Sequence, residues 1–221
     1  EIRKHPEYRL EHRNLLETVD FEKGTVMVDG KEWPMRDMNL PTVDPEDPYK
    51  LTEQEEEVMV ALESSILNSE KLQRHINYMF THGSLFKVKN GNLLYHGCMI
   101  LNERGNFKPV EIEGKKYKGA AYMRKLDQMI RDARGKQPEG RTSAEAAAIM
   151  WYLWLSEDSP LFGKDKMTTF ERYFIADKST HKENKIPYYK LIDNEEIAIK
   201  ILKDFGLDPD HGVILNGHVP V

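Results

Sequence analysis

A single cysteine, Cys98, stands among 221 residues, so no disulfide framework can form within the chain and a reducing cytosol is the expected compartment. Long apolar runs are also missing: no stretch approaches the roughly 20 residues needed to cross a bilayer, and no signal peptide opens the chain. Excess positive charge is absent. The 32 Lys and Arg are outnumbered by 37 Asp and Glu, for a formal net charge of −5, which excludes a broad electrostatic footprint for nucleic acid. There is no low-complexity tract, no internal repeat and no G-x-x-x-x-G-K-[ST] phosphate loop. What remains, 39% hydrophobic and 31% charged residues, predicts a soluble, globular, cytoplasmic chain of one large domain or two small ones.

The chain opens without Met on a charged stretch, 1–17, that reads as helical. It stops at His218-Val219-Pro220-Val221, directly after an apolar run. Natural termini are usually tied down or polar, so a segment of a longer protein is expected. Helix starts are signalled where Thr52, Thr142 and Thr168 precede Glu55, Glu145 and Glu171 by three positions, the spacing of a capping box. Asp193 with Glu196 is a weaker variant, opening a helix with Ile197, Ile201, Leu202 and Phe205 on one face and Gly206 at its end. Further helices are expected over 68–81 and 122–134.

Thr25 to Val28, Asp29-Gly30 and Lys31 to Trp33 predict a hairpin with a primed turn, and Val110 to Tyr117 predicts another. Asn92-Leu93-Leu94-Tyr95 and Gly212-Val213-Ile214-Leu215 read as short strands buried on both faces. Pro41, Pro45 and Pro48 make 38–50 a rigid extended connector. The fold class is α/β, with a helical, hairpin-bearing first third.

The two apolar strands end alike, in Tyr95-His96-Gly97 and Asn216-Gly217-His218. In open α/β sheets ligands bind beyond the carboxyl ends of strands, and neutral imidazole there is a good metal ligand. Each pair taken alone fits a hydrogen-bonded strand-end histidine better than a metal ligand; two at matching ends shift the balance toward the metal reading without deciding it. A second constellation runs from Ser159 through Gly163, Lys164 and Lys166 to Arg172, where cations and a helix start suit an anion. A solvated cationic loop is the competing reading. Met150-Trp151-Tyr152-Leu153-Trp154-Leu155 reads as core rather than a base-stacking platform. Thr180 to Lys185 reads as a surface turn, and Glu53 to Glu57 as an acidic first helical turn. His5, His12, His75, His82 and His211 are expected to be exposed, and Cys98 to be a small buried residue rather than a nucleophile.

Leu93-Leu94-Tyr95-His96-Gly97-Cys98, the long run from Ser159 to Phe174, and Asn216-Gly217-His218-Val219-Pro220-Val221 resemble bacterial class III fructose-1,6-bisphosphatase. Asp44 to Thr52 and Leu67 to Leu72 extend the resemblance over nearly the whole chain. It implies part of a calcineurin-like metallophosphatase sandwich, with paired sheets flanked by helices. Residues 1–83 would be a helical and hairpin insertion, and 84–221 the later part of the metallophosphatase domain. It also implies a binuclear divalent site preferring manganese, with His96 and His218 as ligands of one metal. The position of a further histidine in some relatives is Pro220 here, so no third ligand is implied. The Asp-x-His, Gly-Asp-x-x-Asp-Arg and Gly-Asn-His-Asp motifs that complete the family's site are absent. The implied partner is a small sugar bisphosphate, gripped by Lys164, Lys166 and Arg172, with neither nucleic acid nor membrane involved. Two alternatives stay open: an interaction or regulatory segment, with 1–83 as a homo-oligomer contact or effector site, or a metallophosphatase acting on another phosphoester.

Overall fold

Three residue pairs with positive φ set the strand layout. Asp29-Gly30, Asn90-Gly91 and Glu113-Gly114 have φ of 51 and 75°, 53 and 78°, and 51 and 73°. Two consecutive left-handed residues make a type I′ turn, whose twist matches that of the flanking strands. The architecture is that of a computed structural model describing residues 2–135 and 144–218. Asp29-Gly30 joins β2 (Thr25–Val28) to β3 (Lys31–Pro34), with β1 (Val19–Asp20) antiparallel on the other edge of β2. Asn90-Gly91 joins β4 (Phe86–Lys89) to β5 (Asn92–Tyr95), a hairpin beyond the two expected. Glu113-Gly114 joins β6 (Val110–Ile112) to β7 (Lys115–Tyr117).

Helices fill the rest of this mixed α/β arrangement. At α1 (Glu53–Leu67) the Glu55 amide donates to Thr52 Oγ1 and the Thr52 amide donates to Glu55 Oε2, so the predicted capping box is complete. Next comes α2 (Glu70–His82), capped by Ser69; neither α1 nor α2 buries a residue. The long α3 (Gly119–Gly135) and α4 (Ala144–Leu155) pack on each other, followed by α5 (Thr169–Phe174), α6 (Tyr188–Leu191) and α7 (Glu195–Asp204). Gly206, at φ 76°, ends α7 as expected. None of the described helices is long and apolar enough to cross a membrane.

The main core collects Leu93, Tyr95 and Met99 from β5 and its exit, Tyr122 and Leu126 from α3, Ile149 and Leu153 from α4, and Ile201 and Phe205 from the α7 region. Each fully buried side chain of this kind stabilises by about 1.5–3 kcal/mol. Two hydroxyl pairs, Tyr122–Tyr152 at 2.6 Å and Tyr95–Tyr188 at 2.7 Å, satisfy buried polar atoms within it. A smaller core, Val26, Val28 and Ile175 with Trp33 and Phe170, seats the first sheet against α5.

Several expectations are corrected. Residues 2–17 form short 3-10 turns rather than a helix, because Pro6 lacks an amide donor and Arg9 turns left-handed at φ 55°. The 38–50 segment is not extended: Asp44 and Asp47 carbonyls accept from the Asp47 and Lys50 amides in consecutive turns, and the Asp44 carboxylate accepts from the Glu46 amide. At α5 the Thr168 hydroxyl caps nothing: it donates toward the His181 carbonyl and Glu183, and its oxygen accepts from Arg172 Nε instead of a backbone amide. The cap of α7 is Asn194, one residue after the predicted Asp193. Only Ile214–Leu215 of the second apolar run forms a strand, β8, parallel to β5 at the sheet edge. Val213 and Leu215 are half exposed there, so that strand is not buried on both faces. The aromatic run of α4 splits, with Tyr152 and Leu153 in the core and Trp151 and Trp154 exposed. The capping box at Thr142 lies outside the described residues.

Candidate functional site

Parallel pairing of β5 and β8 places Leu93 beside Ile214 and Leu94 beside Leu215, so both strands finish at the same rim. His96 leaves β5 there, and His218 follows β8. Two bonds tie the exits together: the Gly217 amide donates to the His96 carbonyl at 2.9 Å, and Asn216 Nδ2 donates to the Gly97 carbonyl at 2.8 Å. His218 sits at φ 69°, a left-handed backbone uncommon for a residue with a side chain and frequent at functional sites.

The result is a contact between two imidazoles. His96 Nε2 lies 2.8 Å from His218 Nδ1, with ring centroids 4.8 Å apart and planes at 71°. His218 Nε2 is 3.1 Å from the Phe162 carbonyl, which can only accept, so that nitrogen carries the proton. In the neutral ring this leaves His218 Nδ1 with its lone pair aimed at His96. A carbonyl bonded to the far nitrogen is how metal-binding histidines are commonly oriented. Burial, and then the neighbouring His218, lower the His96 pKa, favouring the neutral ring that a metal requires.

The support beneath the pair is tight. A Cβ on Gly97 would meet the Pro160 carbonyl at 2.6 Å, and the Cys98 amide donates to that carbonyl at 3.0 Å. Only glycine lets the two backbones approach this closely. Ser159 is fully buried, its hydroxyl donating to the Leu153 carbonyl at 2.5 Å, so the 159–163 loop is held by α4. Cys98 is fully buried as expected, and burial pushes its thiol up to about 12, far from nucleophilic use.

Of the five residues singled out from the sequence, the structure brings together His96 and His218. The three cations turn instead to acceptors of the chain. Lys164 Nζ is 2.9 Å from Glu183 Oε2, and Lys166 is paired with Asp29. Arg172 donates to the Thr168 hydroxyl and the His181 carbonyl at 3.1 and 3.0 Å. Glu183, within the segment read as a surface turn, is the acceptor that organises this cluster, taking bonds from Lys164 and from the Thr168 amide and hydroxyl. No spacing in the sequence signals that role, which arises from contacts across a loop.

The donor chemistry fits one divalent cation. Metal–nitrogen bonds of about 2.0–2.1 Å put two adjacent ligating nitrogens on the order of 3 Å apart, so the pair needs only a slight opening. Among the described residues no group of three or more His, Cys, Asp or Glu converges, so these two nitrogens are a partial ligand set. Comparison with known proteins supplies the context. A family model described as Firmicute fructose-1,6-bisphosphatase matches residues 1–221. Proteins named fructose-1,6-bisphosphatase class 3 are 51% identical in Clostridium acetobutylicum and 50% identical in Bacteroides fragilis, each over 220 residues. These alignments take in 100% of this chain and 33% of each relative, so the chain spans a third of the length of the curated relatives it matches. No solved structure matches it. With the similarity running unbroken from first residue to last, the chain belongs to the Firmicute fructose-1,6-bisphosphatase family.

Proposed function

We propose that this chain is the later part of a metal-dependent, cytoplasmic fructose-1,6-bisphosphatase, which hydrolyses the 1-phosphate of fructose 1,6-bisphosphate to fructose 6-phosphate and phosphate in gluconeogenesis. The reading includes a calcineurin-like sandwich formed by residues 84–221 with chain beyond this segment, a helical and hairpin insertion over 1–83, and a binuclear manganese site. The observation that carries it is the 2.8 Å approach of His96 Nε2 to His218 Nδ1 at a shared strand rim. His218 keeps its Nε2–H on the Phe162 carbonyl and offers Nδ1. His96 offers Nε2 after its proton moves to Nδ1 or to solvent. Gly97 and the 159–163 loop hold both rings in place. A divalent metal pair bound at such a site supplies Lewis-acid polarisation of the phosphoryl oxygens and a water acidic enough to attack at neutral pH.

The test is metal content of the full-length protein. His96→Ala and His218→Ala are each expected to lose one bound metal and the associated activity. Wild-type stoichiometry in either variant overturns the assignment. Activity on fructose 1,6-bisphosphate compared with an aryl phosphate separates this substrate from another phosphoester. The exposure of Val58, Met59, Leu62 and Ile66 on a helix with no buried residue favours, as a second reading, an interaction or homo-oligomer role for 1–83. Replacing Val58, Met59, Leu62 and Ile66 together by Ser without change in oligomeric state would remove it.

A further inference from the structure

A sugar bisphosphate carries a second phosphate that needs a cationic grip of its own. Lys164 and Lys166 are ion-paired with Glu183 and Asp29, and two of the five Arg172 donors bond Thr168 and His181. An open, shallow groove of about 560 Å³ is lined in part by His96. Its lining comes from β4, β5, β8 and their exits, with His82 at the end of α2. Among the described residues none of its lining groups is a carboxylate, in a chain where acids outnumber bases.

Two cation-capable side chains line that groove besides His96. Lys87 is exposed, and among the described residues its ammonium has no hydrogen bond or ion pair. It stands opposite Leu94 in the antiparallel register, two residues before His96. Two strand residues span about 7 Å and adjacent strands lie about 5 Å apart, so the Lys87 backbone is roughly 8 Å from that of His96. The His82 ring is stacked on Tyr78 with centroids 4.3 Å apart, and its Nδ1 is engaged by the Tyr78 carbonyl and Thr81 hydroxyl. That fixes the ring and leaves its Nε2 edge without a bond among the described residues. A lysine on a flexible stem binds phosphate as a point charge, and the one carboxylate bonded to the groove's lining among the described residues, Asp127 on the Leu85 amide, is itself paired with Arg131.

We propose that the groove between His96, His82 and Lys87 receives the sugar bisphosphate, with Lys87 gripping the phosphate remote from the scissile bond and His82 assisting. This assignment rests on the phosphatase reading above and moves the grip away from Lys164 and Lys166. Across the groove, one phosphate lies at the imidazole pair while the hexose carbon chain carries the other toward Lys87.

The test uses the full-length enzyme and two substrates, fructose 1,6-bisphosphate and an aryl phosphate that lacks a second phosphate. For Lys87→Gln the ratio of kcat/KM for the bisphosphate to that for the aryl phosphate is expected to fall about tenfold, the scale of one charged hydrogen bond. The fall should lie in KM rather than kcat. Lys87→Arg should restore most of the ratio, and His82→Asn should lower it by a smaller factor. Lys164→Gln, whose partner is internal, should keep it. An unchanged ratio in Lys87→Gln overturns the inference while leaving the phosphatase reading intact. Equal losses on both substrates also overturn it, since Lys87 would then act at the scissile phosphate. If the wild-type enzyme hydrolyses no fructose 1,6-bisphosphate, the phosphatase reading itself falls, and this assignment with it.

Discussion

Replacing Glu183 with Gln tests whether Lys164 belongs to the scaffold. The Glu183 carboxylate takes Lys164 Nζ at 2.9 Å, the Thr168 amide at 3.0 Å and the Thr168 hydroxyl at 3.1 Å, with its side chain 19% exposed. Burial by itself would raise the Glu183 pKa; the bonds from Lys164 and Thr168 outweigh it and hold the group down at about 2, against 4.5 for a free glutamate. A carboxylate whose pKa is depressed by folding contributes stability above its unfolded value, and loses it as pH falls through the folded one. The window is therefore pH 4.5 down to about 2. Full linkage of that displacement is about 3 kcal/mol, and solvent at the open side of the cluster trims it to about 1–2 kcal/mol. Glu183→Gln keeps the shape and an acceptor for Thr168 but leaves the ammonium uncompensated. The expected result is a loss of about 1–2 kcal/mol at pH 7 in urea denaturation followed by tryptophan fluorescence. The gap to wild type should narrow below pH 4.5. A variant as stable as wild type at pH 7, or a gap indifferent to pH, would refute the reasoning.

Leu93 is fully buried in the main core, so Leu93→Ala should cost about 3–5 kcal/mol, read from the denaturation midpoint. Gly97→Ala places a methyl 2.6 Å from the Pro160 carbonyl, and backbone must move; metal binding at the imidazole pair is expected to be lost while circular dichroism stays near wild type. Gly91 has open space around it and φ of 78°, so Gly91→Ala carries only conformational strain, about 1 kcal/mol by the same denaturation assay. Because burial and His218 lower the His96 pKa, metal occupancy should persist to more acidic pH than an ordinary imidazole near 6.5 allows, checked by metal content against pH.

Local chemistry was the legible part of the sequence. Asp29-Gly30, the Thr52 capping box and Gly206 each act through neighbours a few residues away, and each stands in the structure as its spacing predicts. The Asn90-Gly91 turn carries an equally strong signal in the sequence, although the run before it, Phe86 to Lys89, has little hydrophobic character. The imidazole pair was legible from two matching strand ends, since parallel neighbours must finish at one rim. Where a competing long-range partner existed, local rules failed. Thr168 has the spacing of a cap but gives its hydroxyl to His181 and Glu183, from another loop. The ion pairs of Lys164 and Lys166 carry no local signal, because Glu183 and Asp29 are 19 and 137 residues away in the chain. Burial of Val213 and Leu215 depends on what flanks an edge strand, which periodicity does not report.

The lone thiol of this chain, two residues after His96, lies fully buried, and its residue's amide is bonded to the loop that supports the imidazole pair. Alkylating reagents can therefore reach it only through transient opening of that loop, and the labelling rate becomes a measure of the opening equilibrium. A bound metal or sugar that closes the same region would slow the labelling in proportion to its occupancy. Affinity for either could then be followed by mass spectrometry without a catalytic assay.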